Sequence, residues 1–126
     1  MPQAHTVDEL GRYDGRTLSE AVPLVVAEIA ASLDPLEIVL FGSVARGEDG
    51  PDSDIDLLVV FDAIEPSDKR ELMRATRAAV TTFVPLDIIV ADVEEIASDR
   101  ENVGAAVYWP LQDGVSVHRR ATGNAN

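Results

Sequence analysis

The sequence predicts an α/β (α+β) domain built from a small sheet and helices, and three observations lead there. Short apolar runs rich in β-branched residues recur at 37–41, 55–61 and 84–91. Amphipathic stretches with helical spacing lie around them, from Leu18 to Leu33 and from Pro66 to Phe83. Turn formers mark the junctions, notably Asp34-Pro35 and Gly50-Pro51-Asp52-Ser53. At 126 residues the chain is one domain with a modest core.

Composition narrows the function. No cysteine is present, which excludes disulfides and thiolate metal sites and fits a reducing compartment. No apolar run is long enough to span a membrane, and the amino terminus lacks a signal-peptide pattern, so a cytoplasmic location is expected. A net charge of −13 repels phosphate backbones and anionic lipid, which argues against nucleic acid and membranes as partners.

Residues 1–16 are polar, carry Gly11 and Gly15, and read as a loosely ordered lead-in in which His5 and Tyr13 have no role. Thr17-Leu18-Ser19-Glu20 then has the form of a capping box, followed by Leu18, Val22, Val25, Ile29 and Leu33 at helical spacing. The stripe continues across Pro23, which favours a helix that starts at Thr17 and bends at Pro23 over one that begins at the proline. Asp34-Pro35 ends it.

Glu37 to Phe41 is a strand, and Gly42 follows where the chain must turn sharply or let another backbone approach. Ser43 stands where a short helix could begin. Its hydroxyl and the neighbouring N–H groups could hold a triphosphate, or Ser43 could simply be a helix cap. Arg46 is the cation beside this turn. It either holds a phosphate or pairs with Glu48, Asp49 or a core carboxylate.

Side chains alternate along a strand, so Asp54 and Asp56 share one face while Ile55, Leu57, Val59 and Phe61 take the other. Two neighbouring carboxylates on an apolar strand repel each other and are costly to bury without a positive partner. A divalent cation with oxygen ligands, Mg²⁺ or Mn²⁺, supplies one.

The segment 66–83 is expected as one helix, with Leu72, Thr76, Ala79 and Phe83 inward and Arg70, Arg74 and Arg77 on an ordinary solvent face. Asp87 is the one charged residue in the strand 84–91, and Asp92 is expected to cap a following helix with Glu95 reaching back. Residues 102–112 are expected as a helix stopped by Gly114, with Tyr108 and Trp109 packing it on the sheet in preference to Trp109-Pro110 forming an exposed partner-binding spot, then a strand Val115–His118. Residues 119–126 read as a disordered tail, and His118 is given no ligand role.

Gly42-Ser43, ten intervening residues and Asp54-x-Asp56 resemble the signature of the minimal nucleotidyltransferases of the DNA polymerase β superfamily. The likeness extends to Leu40 through Gly47 and Ser53 through Val59, and as a domain to residues 17–118. It implies a polymerase β-like core with a small mixed sheet, a nucleotide site at Gly42, Ser43 and Arg46, and two Mg²⁺ ions held by Asp54, Asp56 and a third carboxylate. Asp87 is the position that resembles the third acid. ATP is the implied substrate.

Small stand-alone members of this kind are antitoxins of a HEPN-type ribonuclease toxin and transfer AMP to a tyrosine of that partner, which the resemblance therefore implies here. Three alternatives stand beside this one: a non-catalytic binding antitoxin, an enzyme acting on an aminoglycoside-like small molecule, and one acting on tRNA.

Overall fold

The computed structural model describes residues 4–121. Thr17 opens the first helix, α1, over Leu18–Leu33: its Oγ1 accepts the Glu20 N–H at 3.1 Å while Glu20 Oε1 accepts the Thr17 N–H at 2.9 Å. Both orphan donors are thereby satisfied, as a capping box requires. Pro23 lies inside α1 at an exposed position, where the backbone bond it removes leaves a carbonyl open to water. Leu18, Val22, Val25 and Ile29 form the buried stripe.

The chain continues as β1 (Glu37–Phe41), α2 (Gly42–Arg46), β2 (Ile55–Phe61), a 3₁₀ turn at Pro66–Asp68, α3 (Lys69–Ala78) and β3 (Leu86–Asp92). It ends in α4 (Val93–Asp99), α5 (Tyr108–Asp113) and β4 (Val115–Arg119). The four strands make one mixed sheet in the order β3-β2-β1-β4. β1 runs antiparallel to β2 and β4, whereas β2 and β3 are parallel and joined by the crossover that contains α3.

Both faces of the sheet are covered. Ile38, Leu40, Ile55, Leu57, Val59, Ile88 and Val90 pack on α1, while Val39, Leu58, Val60 and Ala91 pack with Val107 and the partly buried Ile96 and Leu111 on the other face. β2 is therefore the centre of the core. Removing a side chain such as Leu57 or Leu58, each fully buried, costs about 2–5 kcal/mol. The polar exception on β2 is Asp56, at the end where the sheet meets α2.

Several elements depart from expectation, one through a distant contact and one through a local bond. The helix expected over 66–83 ends at Ala78, because Glu28 of α1 captures the Thr81 and Thr82 backbone N–H groups at 3.0 and 3.1 Å and both threonine hydroxyls. Residues 102–107 form turns rather than helix. Asn102 Oδ1 accepts the Gly104 N–H at 3.1 Å, offering the backbone a local alternative.

Trp109 does not pack on the sheet; it is 57% exposed and meets Tyr108 edge-on, while Val107 and Pro110 are the buried members of that segment. Gly114 ends α5 with extended backbone and not a left-handed turn. Its lack of a side chain serves close approach, since a Cβ there would lie 2.2 Å from the Pro110 carbonyl oxygen and 2.4 Å from Val39 Cγ1.

Asp92 caps α4, accepting the Glu95 N–H at 2.9 Å, and also accepts the Ile64 N–H at 3.0 Å. Glu95 does not reach back to it but pairs with Lys69 at 2.8 Å. At the amino terminus, residues 4–16 are more tied down than a loose lead-in. Tyr13 bridges to Val7 and Arg16, His5 stacks on Phe83 at 4.6 Å and bonds Asp14 at 2.7 Å, and Tyr13 meets the same Phe83 edge-on. At the other end Arg119 closes β4, and Arg120 donates its N–H to the Leu36 carbonyl and its guanidinium to Asp62 at 2.6 Å. These two residues belong to the fold; the rest of the expected tail, from residue 122, lies outside the described residues.

Candidate active site

Sheet register brings the site together. Asp56, the second residue of β2, stands opposite Phe41 on β1 and opposite Asp87 on β3. Adjacent strands are about 4.8 Å apart, so Asp56 and Asp87 are acidic neighbours on one face. Asp54 precedes the strand and is exposed, as is Asp87, whereas Asp56 is half-buried.

Gly42, next after Phe41, turns the chain directly over Asp56. Its φ of +79° lies in the left-handed region, and a Cβ built there would stand 2.2 Å from Asp56 Oδ2 and 3.1 Å from its Cγ. Of the two expected reasons for this glycine the turn is present, and the group that approaches it is the Asp56 side chain and not another backbone.

Electrostatics follow from this packing. Burial pushes the Asp56 carboxyl above its ordinary value, and the charges of Asp87 and Asp54 push it further, against a smaller opposing pull from Arg46. The anionic form is therefore penalised from three sides. Arg46 itself donates Nε–H to Glu48 Oε1 at 2.9 Å, with both side chains largely exposed. Of its two expected roles, the structure displays the pairing with Glu48. Such an exposed pair contributes at most about 1 kcal/mol and leaves the guanidinium available to other anions.

Ser43 does not cap α2, whose N-cap is Phe41 without a side-chain bond. Its Oγ–H donates instead to Ser53 Oγ at 3.0 Å, and Ser53 Oγ also accepts the Gly50 N–H at 2.8 Å. Ser53 is the participant that sequence reasoning passed over. The sequence marks it as a turn residue, and its place beside Asp54, ten positions beyond Ser43, is the signal that points further.

Among the described residues no three His, Cys, Asp or Glu side chains are gathered closely enough to be a ready-made metal centre. The donor chemistry nevertheless fits hard divalent cations: the acids are oxygen ligands, and Asp56 is an anion disfavoured by its own surroundings that a cation stabilises. A cavity of about 350 Å³ lined by Leu36, Val60, Ile96, Leu111 and Arg100 is remote from this chemistry. Its strand level, where Glu37 pairs with Val60, is four residues from the Phe41–Asp56 level, or roughly 13 Å along the sheet.

A four-stranded mixed sheet flanked by helices, with a glycine-serine turn lying on an acidic strand pair, defines the polymerase β-like class of nucleotidyltransferase folds. Residues 25–103 match the family model described as the nucleotidyltransferase domain, and the chain belongs to that family. It is also similar to the 1.40 Å crystal structure of a provisionally assigned nucleotidyltransferase from Sulfolobus solfataricus. The two are 30% identical, the match covers 82% of this chain and 81% of that one, and the TM-score is 0.58. No curated protein matches the chain.

Proposed function

We propose that this protein is a Mg²⁺-dependent nucleotidyltransferase that moves AMP from ATP to a tyrosine hydroxyl of a partner protein, acting as antitoxin to a HEPN-type ribonuclease toxin. The observation that carries the transfer reading is the close approach of the Gly42 turn to Asp56, which sets a left-handed glycine turn against a carboxylate flanked by Asp87. Support for a protein acceptor comes from exposure and charge. Asp54 and Asp87 stand open to solvent at the sheet's end, and a chain of net charge −13 repels nucleic acid.

Asp54, Asp56 and Asp87 would hold the cations, which when bound supply Lewis-acid stabilisation of the entering and leaving oxygens. Gly42 and Ser43 orient the triphosphate so that pyrophosphate leaves in line, with Arg46 contributing positive charge once free of Glu48. The acceptor oxygen bonds to the α-phosphorus as the bond from that phosphorus to pyrophosphate breaks. The exposed Asp87 carboxylate receives the acceptor's proton.

The test is the intact mass of a HEPN-type partner after incubation with ATP and Mg²⁺, with this chain or its Asp54→Ala/Asp56→Ala variant. One or more AMP units added to the partner by the natural chain alone is the expected result. No added mass, with both versions silencing the partner equally, would make the chain a binding antitoxin without catalysis.

A further inference from the structure

Two hydroxyls, Ser43 and Ser53, touch at 3.0 Å beside the site, and their donors and acceptors can be counted. A serine hydroxyl has one proton and two lone pairs. Ser53 Oγ uses both lone pairs, one for the Gly50 N–H at 2.8 Å and one for the Ser43 hydroxyl. The pair owns two protons and spends one on its mutual bond. With Ser43 donating, the remaining proton is on Ser53; when the two hydroxyls rotate so that Ser53 donates to Ser43, it is the Ser43 proton that is freed to donate outward to an anion.

The same Ser53 Oγ closes the loop that joins α2 to β2. Its bond from Gly50 N–H is matched by the return bond of the Ser53 N–H to the Gly50 carbonyl at 3.0 Å, so residues 50–53 form a doubly closed turn. Ser53 is half-buried and adjoins Asp54. Ser43 is thus tied through one oxygen to the loop that delivers the acidic strand.

We infer that Ser53 is a positioning residue: its Oγ holds the Ser43 hydroxyl and the 50–53 turn in one arrangement, so that the pair presents a single oriented donor to a nucleotide phosphate. The inference rests on the nucleotidyl-transfer reading above and names how that site orients its triphosphate. Ser43 without Ser53 keeps its proton but loses its direction. Ser53 without Ser43 keeps the turn but has nothing to orient.

The experiment is steady-state transfer by the full chain with ATP, Mg²⁺ and the HEPN-type partner, comparing Ser53→Ala, Ser53→Thr, Ser43→Ala and the double variant, with ATP binding and thermal melting measured on each. Ser53→Ala is expected to raise KM and Kd for ATP about ten-fold with kcat within about three-fold, and Ser53→Thr to recover most of that loss. In the Ser43→Ala background the further Ser53→Ala change should cost less than about two-fold. Unchanged KM and Kd in Ser53→Ala, or an equal loss with and without Ser43, overturns the inference. A fall in melting temperature that accounts for the whole effect, with no recovery in Ser53→Thr, does so too. If the natural chain binds ATP and responds to these substitutions in Kd but transfers nothing, the transfer reading fails while the positioning role stands.

Discussion

Replacing Gly42 by alanine tests the site's central contact. Two penalties are separable. The left-handed backbone, φ +79°, costs an L-residue about 1–2 kcal/mol. The new Cβ, 2.2 Å from Asp56 Oδ2 and 3.1 Å from Cγ, forces Asp56 out of its rotamer at a further cost of about 1 kcal/mol. Reduced freedom of the unfolded chain returns about 0.4–1 kcal/mol. The net expectation is a loss of about 2 kcal/mol in urea denaturation, and a fall in transfer rate of about a hundred-fold because the acid moves by about an ångström.

The second penalty disappears when Asp56 is truncated. In an Asp56→Ala background the remaining neighbour is Asp56 Cβ at 3.3 Å, a tight but tolerable contact, so Gly42→Ala should then cost about 1 kcal/mol less. Four denaturation curves give this coupling energy directly. A coupling within about 0.3 kcal/mol of zero would mean that Gly42 is required by its backbone angle alone, and the account of the site as a glycine pressed against a carboxylate would be wrong.

Other perturbations have equally definite outcomes. Asp56→Asn should raise stability at neutral pH while abolishing transfer: the folded-state pKa of Asp56 lies above its ordinary 3.8, so the natural protein loses stability as pH rises from 3.8 through that higher value, and urea midpoints of the variant should lack this decline. Glu28 is the reverse case. Burial pushes its carboxyl up, but the Thr81 and Thr82 bonds outweigh this and bring it down to about 2, so its stabilisation is complete above 4.5 and is lost as pH falls toward 2. Glu28→Ala should cost about 2–3 kcal/mol at pH 7 and flatten the acid limb of the denaturation profile; an unchanged acid limb would count against the clasp. Thr17→Ala should cost about 1 kcal/mol by thermal melting, because the Glu20 N–H at the start of α1 loses its side-chain acceptor; an unchanged melting temperature would count against the capping box.

What was readable in the sequence was what neighbouring residues decide among themselves. The Thr17–Glu20 box spans one helical turn, the alternation from Ile55 to Phe61 sorts side chains by local geometry, and the spacing from Ser43 to Asp54 marks a turn and a strand start. Readings failed where a distant residue intervened. Nothing near Thr81 announces that Glu28, 53 positions earlier, will strip the last turn from α3. Phe83 likewise gives His5 and Tyr13 a partner some seventy residues away, turning a polar lead-in into a packed segment. The site shows the same division: Gly42, Ser43, Asp54 and Asp56 stand out as a local pattern, the opposition of Asp56 to Asp87 depends on sheet register, and the Ser53 bond depends on how a loop closes.

The parallel pairing of β2 with β3 bears on how the acidic site is held together. Residues 42–54, with α2 among them, join β1 to β2, whereas β3 reaches β2 through the crossover of residues 62–85 that contains α3. Asp87 joins the other acids only through that parallel pairing, and its strand is fastened by the α1 clasp at Thr81 and Thr82 just ahead of it. The third acid is thus held by the β2–β3 pairing and the clasp, while the Gly42 turn and Asp56 are held by β1 and β2, so loosening the Glu28 clasp strains the Asp87 side of the site first.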